Sequence, residues 1–327
     1  MARFRRRSCI LLVVTAAVHP FPIIDGHGAM RRWIARWRDQ MAAPGWATCA
    51  WPDLSGLLHL LHAQLPDSEW AALRRWLRST EIAAVMQEDP LTLAAWDRPR
   101  GLPMDPVLQD LMVGHRSQRP RLAASTPLGR ELHAAIHAGP SAQLMRERLR
   151  FFTQMIANLV TEQPGATVLS LGAGHLRSHE LLGPGERPAH WLALEPDARA
   201  APRLRSLPGV HGAVAGHARL NRSSGSFDMI CIPSLVDVLP APQAARLTRR
   251  AFRLLKPGGR LVFGAADRLL PDAAYRDVFM DWPQRPVGPA TLRQLLDAAP
   301  AAELAGARLI RRGRGLGAFG VIQRRAG

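Results

Sequence analysis

The sequence predicts an α/β chain, with a helical first half followed by a parallel sheet joined by helical crossovers. From Arg31 to about Val160, apolar residues recur at helical spacing. After Gln163-Pro164-Gly165, short apolar runs alternate with helical ones, as strands and crossovers do. The first of those runs, Thr167-Val168-Leu169-Ser170-Leu171, opens directly into a glycine turn, Gly172-Ala173-Gly174.

A length of 327 residues suits two domains, or one large α/β domain with an added segment. Hydrophobic residues at 47% and charged residues at 21% match a globular chain. Twenty-seven glycines and 27 prolines fall short of the roughly 25–30% that marks low complexity. Collagen, long disorder and a polytopic membrane protein are excluded. The net charge of +17 points first to a polyanionic partner. However, Lys256 is the only lysine among 43 basic residues, a skew that reads as GC-rich coding. Nucleic acid is therefore not the expected partner. Cys9, Cys49 and Cys231 form no Cys-x-x-Cys pair and cannot make a disulfide framework, which fits a reducing, cytoplasmic setting.

The elements follow in order. Residues 1–29 read as a leader. Arg3-Phe4-Arg5-Arg6-Arg7 precedes an apolar run from Cys9 to Val18, too short for the roughly 20 residues of a membrane span. No small-x-small cleavage site follows, so a disordered leader or a start at Met30 is expected rather than export. Residues 30–162 form the helical segment, a lid or cap. Trp33, Ile34 and Trp37 share one face, and Leu54, Leu57, Leu58 and Leu61 form an i, i+3, i+4, i+7 stripe. Asp67 is placed to cap a helix carrying Trp70, Leu73 and Leu77. A helix starts near Thr126-Pro127, and the last runs from about Ser141 to Val160. Residues 163–327 form the catalytic domain, with strands at 167–171, 191–194, 212–214, 227–232 and 260–263.

A strand, a glycine turn and a helix make a nucleotide-binding arrangement, and an ordinary tight turn has the same pattern. Glu195 ends the next strand, 21 residues after Gly174, where a carboxylate can accept ribose hydroxyls. That spacing also suits a nicotinamide dinucleotide, but the third glycine of that fingerprint is absent, since position 177 is Arg.

Four segments in order, Val168–Gly174, Leu194-Glu195-Pro196-Asp197, Phe227-Asp228-Met229-Ile230 and Leu254-Leu255-Lys256-Pro257-Gly258-Gly259, resemble the motifs of class I S-adenosylmethionine-dependent methyltransferases. Gly174-His175-Leu176-Arg177, Asp97-Arg98-Pro99-Arg100-Gly101, Arg146-Glu147-Arg148 and Asp281-Trp282 resemble a bacterial subgroup of these. It includes the methyltransferases of extracellular-factor (3-hydroxypalmitic acid methyl ester) biosynthesis. Two departures stand out: Leu102 and Met104 stand where the subgroup has a Tyr and a second Gly, and Ala265-Ala266 replaces an Asn-Phe.

The resemblance implies a Rossmann-like, doubly wound, mainly parallel seven-stranded sheet, and S-adenosyl-L-methionine as cofactor. It places Ser170, Gly172, Ala173, Gly174, His175, Glu195, Asp197, His217 and Pro233 around that cofactor. His217 is equally readable as a solvent-exposed loop histidine. His175 follows the turn where a helix N-terminus would face the ligand. The catalytic expectation falls on Asp237, after the fourth strand, with Arg100 and Arg148 as cations to orient an anionic acceptor. Asp237 also reads as a cap or surface acid, and each arginine as a solvated one. Trp33, Trp37 and Trp70 could roof an acyl pocket or simply pack the core. Tyr275 and Trp282 could line the substrate pocket, and Cys231 reads as core. No metal-ligand spacing and no Gly-x-Ser-x-Gly elbow occurs.

The expected activity is methylation of a small-molecule or lipid-like acceptor, at a carboxylate or hydroxyl. The alternatives are a catalytically weakened cofactor-binding protein of the same fold and an RNA methyltransferase.

Overall fold

The computed structural model describes residues 25–40, 43–101, 104–216, 225–266, 270–283, 287–312 and 315–327. Among the described residues, nine α-helices precede the sheet: α1 (Gly26–Arg38), α2 (Trp46–Gln64), α3 (Asp67–Arg78), α4 (Glu81–Met86), α5 (Pro90–Asp97), α6 (Pro106–Val113), α7 (Arg119–Ala123), α8 (Pro127–His137) and α9 (Pro140–Glu162).

Their starts obey local rules. Asp89 and Asp105 cap α5 and α6, accepting from the backbone N–H of Thr92 and of Val107 and Leu108, with proline at the first helical position of each. Thr126-Pro127 does the same for α8. Helix α1 begins earlier than the sequence suggests. Asp25 accepts from Gly28 N, and Met30 is fully buried inside the helix, so residues 25–29 belong to the fold. Helix α3 carries the expected Trp70, Leu73 and Leu77 face, although Pro66 occupies its cap position.

The sheet half runs β1 (Thr167–Leu171), α10 (Ser178–Leu181), β2 (His190–Glu195), α11 (Ala201–Arg205), β3 (Val210–Val214), β4 (Phe227–Ile232), α12 (Leu235–Val238), α13 (Ala241–Arg253), β5 (Leu255–Ala266), α14 (Ala273–Phe279), α15 (Pro289–Leu296), β6 (Leu304–Arg312) and β7 (Gly317–Arg324). The strand order is β3-β2-β1-β4-β5-β7-β6, seven strands with β7 antiparallel to its neighbours. This is the Rossmann-like, mainly parallel sheet expected. The strand order reverses between β1 and β4, which run parallel, and ligands bind such sheets at this switch point, at the carboxyl ends of the strands.

The solitary lysine has a structural role here. Lys256 Nζ donates to Asp228 Oδ2 at 2.7 Å, and the same carboxylate accepts from Thr167 N and Gln163 Nε2, tying the starts of β1, β4 and β5 together. Long α9 lies across the sheet, burying Phe151, Phe152 and Ile156 against β1 and β4, and Phe151 stacks on Phe319 of β7 at 4.1 Å.

The core of the helical layer also recruits α14, which comes after β5 in sequence. Tyr275 is fully buried, with its hydroxyl 3.0 Å from Thr92 Oγ1 and its ring edge-on to Trp51. Trp70 and Arg74 both donate to Asp277, and Arg78 donates to the carbonyls of Asp277 and Val278. Trp33 and Trp37 donate their indole N–H to Asp53. All these aromatic residues thus sit in packing and hydrogen-bonding roles within one core.

Candidate functional site

At the end of β1 the chain must turn in less space than most residues permit. Gly172 (φ 63°) and Gly174 (φ 56°) adopt left-handed backbone, which glycine does without a Cβ penalty. Gly172 N and Ala173 N both donate to Leu194 O, at 2.9 and 3.2 Å, binding the turn to the end of β2. Leu176 also has positive φ, at 52°, although its side chain is buried, so the turn holds strain at a non-glycine.

Glu195 closes the turn. Its Oε2 accepts from Gly174 N at 2.8 Å and its Oε1 from Asp197 N at 3.1 Å, in a site only 4% exposed. Burial pushes its carboxyl above the usual value, against the two backbone hydrogen bonds that favour the ionised form. Each oxygen keeps a free lone pair for a further donor.

His175 does not face a helix N-terminus as its sequence position suggests. The segment after the turn forms only one helical turn, α10, so no summed helix dipole faces the site. What surrounds His175 comes from α6 instead. Asp110, 1% exposed, accepts from His175 Nδ1 (2.8 Å), bidentately from Arg177 Nε (2.8 Å) and Nη2 (2.6 Å), and from Ser117 Oγ (3.2 Å). Burial alone would raise the Asp110 carboxyl, but the Arg177 and His175 hydrogen bonds outweigh it and hold it at about 2. Gln109 of the same helix covers the turn: a Cβ on Gly174 would lie 2.7 Å from its Oε1.

A cavity of about 80 Å³ lies between α6, α9 and the ends of β1 and β4, walled by Gln109, Arg148, Gly172, His175, Pro233 and Ser234. That is smaller than the roughly 300–1,000 Å³ of typical ligand pockets, because α6 sits directly on the turn. Ser170 lines this cavity while its hydroxyl accepts from Trp191 Nε1 at 2.9 Å. Cys231 lines it too, with burial pushing its thiol up to about 12.

The structure pairs the expected catalytic residues with expected site residues. Asp237 Oδ2 stands 2.5 Å from Arg148 Nη2, an ion-pair contact without hydrogen-bond alignment, and Asp237 Oδ1 accepts from Ala266 N at 2.6 Å. Arg148 Nη1 donates to Ser234 Oγ at 3.2 Å. Arg100 pairs with Asp197, and Arg199 reaches back to Pro99 O, so the loop after α5 covers the end of β2. His217 lies outside the described residues.

Sequence reasoning missed Asp110, Gln109 and Arg177. Its one available signal was an acid within the apolar run Leu108-Gln109-Asp110-Leu111-Met112, a position that must be buried and therefore paired. Among the described residues, no three His, Cys, Asp or Glu side chains are placed to hold a metal, and no helix is long and apolar enough to cross a membrane.

Comparison with known proteins agrees with the fold. A crystal structure of a possible exported protein from Bordetella parapertussis matches 95% of this chain and 100% of that one, at TM-score 0.57 and 16% identity. An N-methyltransferase, NodS, from Bradyrhizobium japonicum WM9, in complex with S-adenosyl-L-homocysteine, matches 65% of this chain and 98% of its own, at TM-score 0.41 and 17% identity. A 69-residue stretch is 39% identical to an arsenite methyltransferase of Aquipseudomonas alcaligenes. It covers 20% of this chain and only 19% of that protein. No family model matches the chain.

Proposed function

We propose that the protein is an S-adenosylmethionine-dependent methyltransferase acting on a small-molecule or lipid-like acceptor, by O-methylation of a hydroxyl or carboxylate, in the cytoplasm. The observation that carries this is the buried Glu195 carboxylate, held by Gly174 N and Asp197 N beside two left-handed glycines at the switch point of the sheet. The residues present fit the nucleoside. Glu195 would accept the ribose hydroxyls, with Asp197 beside it. The bare backbone of Gly172, Ala173 and Gly174 would pass under the methionyl part, with Ser170 and Pro233 lining the same cavity. When bound, the cofactor supplies an electrophilic sulfonium methyl group.

The protein's own contribution is to orient donor and acceptor and to exclude water, which provides most of the rate in such transfers. Arg148, buried and tied to Asp237 and Ser234, would orient the acceptor from the α9 side. Arg100 would act from the loop that covers Asp197. Helix α6 must withdraw for a nucleoside to enter, since Gln109 stands on the turn.

That closed state also favours a second reading, a weakened cofactor-binding protein that keeps the fold. Calorimetric titration with S-adenosyl-L-homocysteine, together with labelled methyl transfer to a panel of alcohols, phenols, fatty acids and total RNA, separates them. Binding with turnover supports the enzyme. Binding without turnover supports the weakened protein, and no binding by the folded chain removes both. Transfer to RNA alone would move the reading to the third alternative.

A further inference from the structure

The cavity wall contains a built acid–base pair that the proposed cofactor contacts do not use. His175 lines the cavity, its side chain only 11% exposed, with Nδ1 bonded to Asp110 at 2.8 Å. Among the described residues, no protein group pairs with its Nε2. Asp110 is held as a carboxylate by Arg177 in a bidentate clamp, and Arg177 is held in turn by Glu180. A carboxylate fixed on one ring nitrogen sets the tautomer: Nδ1 carries the proton, and Nε2 presents a lone pair.

We propose that His175, positioned by Asp110, is the proton acceptor of this site, and that the methyl acceptor is therefore a hydroxyl compound rather than a carboxylate. This rests on the methyltransferase reading. A carboxylate is ionised at neutral pH and needs no base; a hydroxyl does. The hydroxyl O–H bond breaks with its electron pair left on oxygen and its proton passing to Nε2. That oxygen forms the new bond to the methyl carbon, and the C–S pair stays with sulfur. One positive charge is lost at sulfur and one appears on the imidazole, so charge balances. The Asp110 carboxylate stabilises the imidazolium so formed, as the acid of a hydrolase triad does.

The charged groups around the ring are few. From α6 comes Asp110. Arg177, from the loop after the turn, has its Nη2 3.5 Å from Nδ1, and Glu195 at the end of β2 interacts through space. Glu180, of α10, holds Arg177 and also pairs with His115 and Arg203. Asp110 accepts from both Arg177 and the ring, so the positive charge gained on protonation stands in direct contact with a carboxylate.

The test begins with a readout that needs no acceptor. Heteronuclear NMR of histidine-labelled protein, with His175→Gln for assignment, should show the neutral His175 ring protonated at Nδ1. Asp110→Asn should shift the ring toward the other tautomer. A ring protonated at Nε2 in the wild type would overturn the proposal. The second readout is binding: His175→Gln should leave affinity for S-adenosyl-L-homocysteine largely unchanged, whereas a cofactor contact would lose about tenfold or more. The third is transfer. Acceptors that turn over should carry a hydroxyl, with rates that rise with pH through one titration and fall about a hundredfold or more in His175→Gln. Methylation of a carboxylate at a rate indifferent to His175→Gln would refute the assignment. If the wild type binds no S-adenosyl-L-homocysteine, the methyltransferase reading fails by itself, while the tautomer still reports on the dyad.

Discussion

Replacing Glu195 by glutamine tests the cofactor reading with the least disturbance to shape. The carboxylate offers two oxygens, each already taking one backbone N–H, at 2.8 and 3.1 Å, with a lone pair left on each. Glutamine keeps one oxygen and sets an NH2 against the second backbone N–H. One ribose bond is lost and the other loses its charge assistance. Hydrogen bonds to charged groups contribute about 1.5–3 kcal/mol each, so the expected loss is about 2–4 kcal/mol. That corresponds to a rise of roughly 30- to 1,000-fold in Kd for S-adenosyl-L-homocysteine. Isothermal calorimetry at several pH values reads it.

The pH sign follows from burial. The Glu195 carboxyl titrates above its usual value in the fold. Stability from this group is therefore full below the unfolded value and is lost as pH rises through the raised one. Binding runs the other way. The ribose hydroxyls need the ionised form, so affinity should fall as pH drops through the raised pKa. Glu195→Gln should abolish that acidic limb. Unchanged affinity in a folded Glu195→Gln protein, or an identical pH profile, would refute the ribose assignment.

Four other outcomes are expected. Leu176 is buried at φ 52°, so Leu176→Gly should destabilise less than Leu176→Ala, by about 1 kcal/mol in urea melts, reversing the usual order. Gly174→Ala adds a Cβ 2.7 Å from Gln109 Oε1 at φ 56°; it should cost about 1–2 kcal/mol and abolish measurable nucleoside binding. Asp110, lowered from the usual value to about 2, contributes about 2 kcal/mol that is present above pH 4 and lost as pH falls toward 2. Asp110→Asn should therefore flatten that part of an acid-unfolding curve, and an unchanged slope would contradict it. Cys231, fully buried with its thiol pushed up to about 12, should resist thiol reagents in the native protein and react only on unfolding.

Much of the sheet was legible because strand signals are local. Strands β1 and β4 fall on the residues expected, and the glycine turn and Glu195 meet as their spacing implied. The antiparallel pair β6 and β7 left no such signal, since its alternation is broken by Gly306, Gly317 and Gly320. Placing residues 273–282 needed tertiary knowledge. Tyr275, Val278 and Phe279 look like any apolar helical face, and only packing shows that they complete the core of the helices from the other half.

The site was half-visible for the same reason. In the sequence Arg148 and Asp237 stand apart, a cation and an acid; that they pair with each other depends on how α9 crosses β4 and β5. Arg100 and Asp197, far apart in sequence, are likewise partners. This pairing also changes the meaning of the +17 charge. Near the site Arg100, Arg148 and Arg177 are each matched by a carboxylate, whereas exposed arginines stand on faces such as that of α13, with Arg246 and Arg253.

The most direct test is a crystal structure of the protein with S-adenosyl-L-homocysteine. The nucleoside should lie over residues 172–174, with its ribose hydroxyls on Glu195 and α6 displaced from the turn. A ligand bound elsewhere, or Glu195 left with only its two backbone partners, would contradict it.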